Sequence, residues 1–210
     1  MPKELFCLWS LFWISTISST GELITAWYFA NSASAQADSI HALLHSAWYW
    51  TAIYENRKFG HSIFSVEEDK HPHHKFTIAY ACLFFASLVF VLIEAILKIF
   101  HPNGIIANYM LYGVGIGILG NVASLWIISR MKPKSDSNKR FDQMWLHAKA
   151  DLWISIPVLI YAIILCLLPS YPFLNLIDPV LTFTIVIYLG VNARPAFSNS
   201  FKQVAHNHHH

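Results

Sequence analysis

Six apolar runs of about twenty residues or more divide the sequence, near 5–30, 33–55, 76–100, 105–130, 145–168 and 173–193. At about 1.5 Å of rise per residue, helices of that length cross the ~30 Å hydrocarbon core of a bilayer. A spanning segment must satisfy its own backbone polar groups, and a helix does so internally. The pattern predicts an all-α polytopic membrane protein, a six-transmembrane-helix bundle over residues 1–200. Charged residues make up 12% of the chain, about half the share of an ordinary soluble domain, and most of them gather in the connections. A formal net charge of +2 is too small to point to a nucleic-acid partner. The first run continues apolar to Phe29 without a small-residue cleavage site, so it reads as a span and not as a signal peptide. Cys7, Cys82 and Cys166 stand far apart in apolar runs and predict buried free thiols.

Three connections are short: Ala30-Asn31-Ser32, His101-Pro102-Asn103-Gly104 and Pro169 to Pro172. Two are longer and polar, residues 57–75 and 132–140. Of the 14 Lys and Arg, all but Lys98 and Lys149 belong to the N-terminus, the two long connections or the C-terminus. That asymmetry predicts both termini in the cytoplasm, in agreement with an even number of spans. Trp48, Tyr49, Trp50 and Tyr54 cluster where the second span would meet the cytoplasmic interface. In the 57–75 loop, Glu67, Glu68 and Asp69 precede His71, His73 and His74, a set suited either to capturing cations at the cytoplasmic mouth or to a hydrated, pH-responsive loop. Residues 201–210 end in His206, His208, His209 and His210, which resemble a purification tag as much as a native tail and are kept out of the mechanism.

An ionisable side chain near the bilayer centre costs at least ~2.5–3.5 kcal/mol on insertion scales. The predicted spans nevertheless contain Glu22, Asp38, His41, His45, Glu94, His147, Lys149 and Asp151. Glu94 and Lys98 are four apart near the end of span three, which predicts an ion pair with Lys98 snorkelling to the interface. His41/His45 and His147/Asp151 are also four apart, so on helices each pair shares a face. Three imidazoles and one carboxylate complete a tetrahedral shell, and nitrogen-rich tetrahedral coordination favours Zn²⁺ over Mg²⁺ or Ca²⁺. The alternative is a polar cluster that only bonds helices together. Asp38, one turn before His41, would orient a ligand or relay protons. Gly113, Gly115, Gly117 and Gly120 give span four a small-residue face for a sliding neighbour or for tight static packing.

The run Gly21-Glu22-Leu23, then Ala30-Asn31-Ser32, then Ala37-Asp38-Ser39-Ile40-His41 with His45 four residues on, resembles the first two spans of the cation diffusion facilitators. His147-x-x-x-Asp151 resembles their span-five ligand pair, with smaller matches at Glu94-Ala95-Ile96, Gly120-Asn121 and Asp178-Pro179. The resemblance covers about residues 5 to 200 and implies that His41, His45, His147 and Asp151 are transport-site ligands, with Asp38 and Glu22 as acidic helpers or proton relays. It implies a Zn²⁺/H⁺ antiporter of the plasma or inner membrane that exports zinc by alternating access, not an enzyme, and a homodimer. His45 stands where these proteins usually carry Asp, so bound Zn²⁺ would keep one net positive charge; a nitrogen-preferring metal is favoured and Mn²⁺ disfavoured, with Cd²⁺, Co²⁺, Ni²⁺ and Fe²⁺ as further candidate cargoes. The cytoplasmic domain that follows span six in such proteins is expected to be absent.

Histidine must be neutral to bind metal, so protons compete with the cation at each imidazole and coupling is chemically plausible. Two other classes compete. His41-x-x-x-His45, His71-x-His73-His74 and His147 loosely resemble the histidine boxes of membrane di-iron hydroxylases and desaturases, although those boxes lie at the membrane surface. A metal sensor that binds without transport is the third class.

Overall fold

The computed structural model describes residues 3–59, 74–101, 104–131, 139–169 and 171–191. Among them every regular element is helical: α1 (Lys3–Ile24), continued by a π-helical turn at Thr25–Ala30, α2 (Ala33–Phe59), α3 (His74–Phe100), α4 (Ala107–Arg130) and α5 (Lys139–Leu167). A 3₁₀ turn, Pro172–Leu176, leads into a sixth helix, α6, over 177–191. α2 runs past the expected end at 55, and α5 begins before the expected 145. Residues 60–73, with Glu67, Glu68, Asp69, His71 and His73, lie outside the described part; His74 opens α3.

Four segments are long and apolar enough to cross a membrane: Cys82–Phe100, Ala107–Arg130, Met144–Leu167 and Phe173–Val191, with mean hydropathies of 2.4, 1.8, 2.2 and 1.8. Leu83, Phe85, Val89, Phe90, Ile93 and Leu97 of α3 are exposed, an apolar face that suits lipid and not water. α1 and α2 are 22 and 27 residues long but carry more polar residues. Those residues point inward. The buried positions of α1 are Leu5, Leu8, Leu11, Ser15, Ser19 and Glu22, one helical face whose chemistry changes from apolar to polar partway along.

α2 and α5 change in the same way. One apolar cluster, with Leu5, Leu8, Leu11, Tyr49, Ile53, Ile128, Met131 and Met144, fills the end that holds the start of α1. A larger one, with Ala30, Ala37, Val91, Val114, Val158, Tyr161, Leu174 and Leu189, fills the other end. Between them buried Ser15, Ser19, Glu22, Asp38, His41, His45, Asp151 and Ser155 form a polar belt. Arg57 lies over Trp9, Arg130 over Trp126 and Lys149 over Trp145, at 5.2, 5.2 and 4.9 Å from the ring centroids. These pairs ring the end where α1 begins. Lys149 is exposed there and is not a charge held inside a span.

α4 is wedged between α1 and α5, and glycine makes the α1 contact possible. A Cβ at Gly113, Gly117 or Gly120 would fall 2.1 Å from Thr25 Oγ1, Glu22 Oε2 or Ser18 Oγ respectively, so a larger residue forces the helices apart. Gly115 meets nothing within 4 Å and does not belong to that face.

At the far end, Asn31 adopts a left-handed conformation (φ 55°), which asparagine tolerates well, and reverses the chain into α2. Asp178 caps α2 from α6. It accepts from Ser32 Oγ at 2.7 Å, Ser34 Oγ at 2.6 Å, Ala33 N at 2.7 Å and Ser34 N at 3.1 Å. These backbone donors belong to a helix start, which favours a carboxylate. Lys98 is buried and does not snorkel: its Nζ donates to Asn31 O at 2.6 Å and lies 3.8 Å from Asp178, with Glu94 more distant at 4.0 Å. A carbonyl and two carboxylates around one ammonium offset the cost of burying it.

Candidate metal centre

Asp38, His41 and His45 follow one another at spacings of three and four on the buried face of α2. Opposite them Asp151 projects from α5. Three atoms converge: His41 Nε2 and His45 Nε2 are 3.1 Å apart, and Asp151 Oδ1 lies 3.2 Å from the first and 3.4 Å from the second. His41, His45 and Asp151 are all buried and form the one group of potential metal ligands of this kind among the described residues. Ligands at about 2.0–2.1 Å around a tetrahedral zinc ion lie about 3.3 Å from each other. The three atoms thus have the dimensions of one face of such a tetrahedron. Two ring nitrogens and a carboxylate oxygen brought together also form a concentration of acceptors, which a cation or a proton neutralises.

His147 does not join the triangle. It is exposed, one turn before Asp151 on α5, and its ring centroid stands 5.5 Å from that of His45. It flanks the open side of the three-atom face, on the side toward the end where α1 begins.

The two acidic residues singled out in the sequence sit behind the triangle. Asp38 is buried, electrically coupled to Asp151 and His41, with the Ser155 hydroxyl in hydrogen-bonding reach. Glu22 is buried on α1, pressed against Gly117, and coupled to Asp38. Glu22 Oε1, Asp38 Oδ2, His41 Nδ1 and Asp151 Oδ1 are buried without a hydrogen-bond partner from the described residues. Each such group costs about 1–3 kcal/mol, more when charged.

Two residues with no assigned role in the sequence reading belong to this region. Asn121 of α4 donates to Ser155 Oγ at 3.1 Å, and Ser155 donates to the Asp151 carbonyl at 3.0 Å. The available signal was spacing: Ser155 continues His147 and Asp151 by a further four residues on the same face. On α1, Ser15 donates to the Ala42 carbonyl and accepts from Ser46, both at 3.1 Å, which sets the register of α1 against the histidine helix.

Residues 75–204 match the family model of the cation efflux transmembrane domain. The chain belongs to this family, the cation diffusion facilitators, and is an integral multi-pass membrane protein. Among curated proteins it is similar to the zinc transporter ZitB of Yersinia pseudotuberculosis serotype I (strain IP32953), 26% identical over 202 residues that cover 92% of this chain and 60% of the relative. The zinc transporter ZitB of Yersinia pestis is 25% identical over the same shares. The chain thus spans about 60% of the length of these relatives.

Proposed function

We propose that the protein carries Zn²⁺ across a membrane through the site built from His41, His45 and Asp151, with His147 closing the fourth position. The observation that supports this most is the triangle of 3.1, 3.2 and 3.4 Å between two imidazole nitrogens and a carboxylate oxygen, buried in a polar belt between two apolar clusters. Family membership and the names of the relatives point to the same cargo.

In this proposal α1 and α2 also cross the bilayer, giving six spans with both termini in the cytoplasm. Their polar residues are those that face the site. The exposed His147 then lies on the cytoplasmic side, so the conformation faces inward. Metal loads from the cytoplasm on neutral imidazoles; exposed to the far side, the site takes up protons as it releases the metal. Asp38 and Glu22, with orphaned oxygens behind the triangle, are placed to carry or relay protons. The protein works as an exporter by antiport, as a homodimer.

The test is zinc flux in sealed vesicles under an imposed pH gradient. Wild-type protein should drive zinc-dependent proton movement, and Asp151→Ala should abolish it. Undiminished flux in that variant rules the site out; zinc binding without flux in the wild type would make the protein a sensor.

A further inference from the structure

Asp151 is the one member of the triangle contributed by α5, so the position of that helix decides whether the triangle closes. Its Oδ1 touches two imidazoles and has no other hydrogen-bond partner among the described residues, so the carboxylate is not oriented by a side-chain donor of its own at that oxygen. What holds its turn of helix is Ser155. This hydroxyl is 1% exposed, donates to the Asp151 carbonyl at 3.0 Å and accepts from Asn121 Nδ2 at 3.1 Å. Asn121 is anchored in turn, because a Cβ at the preceding Gly120 would fall 2.1 Å from Ser18 Oγ and 2.5 Å from Ser18 Cβ, leaving α4 no freedom to shift toward α1. A chain of contacts therefore runs from α1 through Gly120 and Asn121 of α4 to Ser155 and the Asp151 turn of α5.

We propose that Asn121 and Ser155 are positioning residues that fix the reach of Asp151 toward the histidine pair and thereby set a preference for zinc over cadmium. The edges of 3.1–3.4 Å fit a tetrahedral zinc ion, whose ligands lie about 3.3 Å apart. Cadmium is larger and forms longer bonds, so accommodating it requires Asp151 to draw back from His41 and His45. The Asn121–Ser155 hold opposes that withdrawal. Without it, α5 has slack to settle at either distance, and zinc loses the advantage of a preformed site. Neither residue touches the metal; both act through the Asp151 main chain.

This rests on the metal-centre reading above, and the measurements separate the two. Full-length protein is tested by competition of Zn²⁺ and of Cd²⁺ against a chromophoric chelator in detergent, and by uptake of each metal into sealed vesicles with KM and Vmax resolved. Ser155→Ala and Asn121→Asp should weaken zinc binding and raise its KM about tenfold, the size typical of losing a group that orients a ligand. Cadmium should change less, so the zinc-to-cadmium ratio falls. Ser155→Thr, which keeps the hydroxyl, should retain the wild-type ratio. Asn121→Ala reads the same contact from a half-buried position, should either of the first two fail to fold. A parallel loss for both metals, or an unchanged ratio, overturns the assignment while leaving the metal centre in place. Wild-type protein that binds neither metal overturns both.

Discussion

Two buried polar clusters lie in the same bundle, and they are wired in opposite ways. At the far end Asp178 has both oxygens filled, by two serine hydroxyls and two main-chain N–H groups at the start of α2, with the Lys98 ammonium alongside. At the centre, Glu22, Asp38, His41 and Asp151 each keep a buried polar atom without a hydrogen-bond partner among the described residues. A saturated cluster releases nothing when a ligand arrives, so its worth lies in tying α2, α3 and α6 together. An unsaturated one retains unfavourable free energy that a cation or proton relieves, which is how a site binds something. Acidic and cationic residues occur in both; the count of available donors separates them.

The sharpest way to break this contrast is to remove one carboxylate from each cluster. Asp151→Ala should abolish zinc flux and yet leave the metal-free protein at least as heat-stable as wild type, because an unpaired buried acceptor is removed. Asp178→Ala should do the reverse. It orphans two main-chain donors and the Lys98 ammonium, and should cost about 3–5 kcal/mol, read as a lower melting temperature, while the molecules that remain folded bind zinc with unchanged affinity. If Asp178→Ala instead shifts zinc affinity with no loss of stability, the far cluster is not structural.

Proton competition gives a graded test. Imidazoles of ordinary basicity lose metal as pH falls through ~6.5, so zinc binding should weaken on acidification by up to about tenfold per unit for each imidazole protonated, and recover above it. A chelator competition from pH 5 to 8 measures the slope; a flat profile removes the histidines from the site. The stability conferred by Asp178 should not follow that titration.

The smallest expected effects compare two glycines of α4. Gly117→Ala drives a methyl into the Glu22 carboxylate and should cost about 1–3 kcal/mol through overpacking, with zinc flux reduced as α1 is displaced. Gly115→Ala faces open space and should stay within about 0.5 kcal/mol of wild type. Melting temperatures of the pair measure the difference. Equal losses would show that the glycines serve the helix itself and not the contact with α1.

The placement of Asp38, His41 and His45 on one face was legible in the sequence because a helix imposes it whatever the fold around it. So were the short turn at Asn31 and the separation of apolar runs by charged connections. Lys98 was misread for a physical reason: its partner in sequence, Glu94, is four residues away, whereas its nearest partner in space, the Asn31 carbonyl, is brought there only by the packing of α3 against the α1–α2 turn. The glycines were misjudged in the same manner, since three of the four meet α1 and nothing in their spacing singles out Gly115 as the exception.

By itself, the sequence determined the helices, the faces their apolar and polar residues share, and the ligand chemistry carried on two of them, because these follow from local periodicity and side-chain type. Tertiary structure decided the rest. It alone selects which residue of the His147/Asp151 pair reaches the histidines, since that depends on the rotation and height of α5 against α2, set by Asn121 and Ser155 on a third contact. It alone reveals which buried polar groups are satisfied, because hydrogen-bond partners more than a turn apart in sequence are chosen by packing and not by spacing.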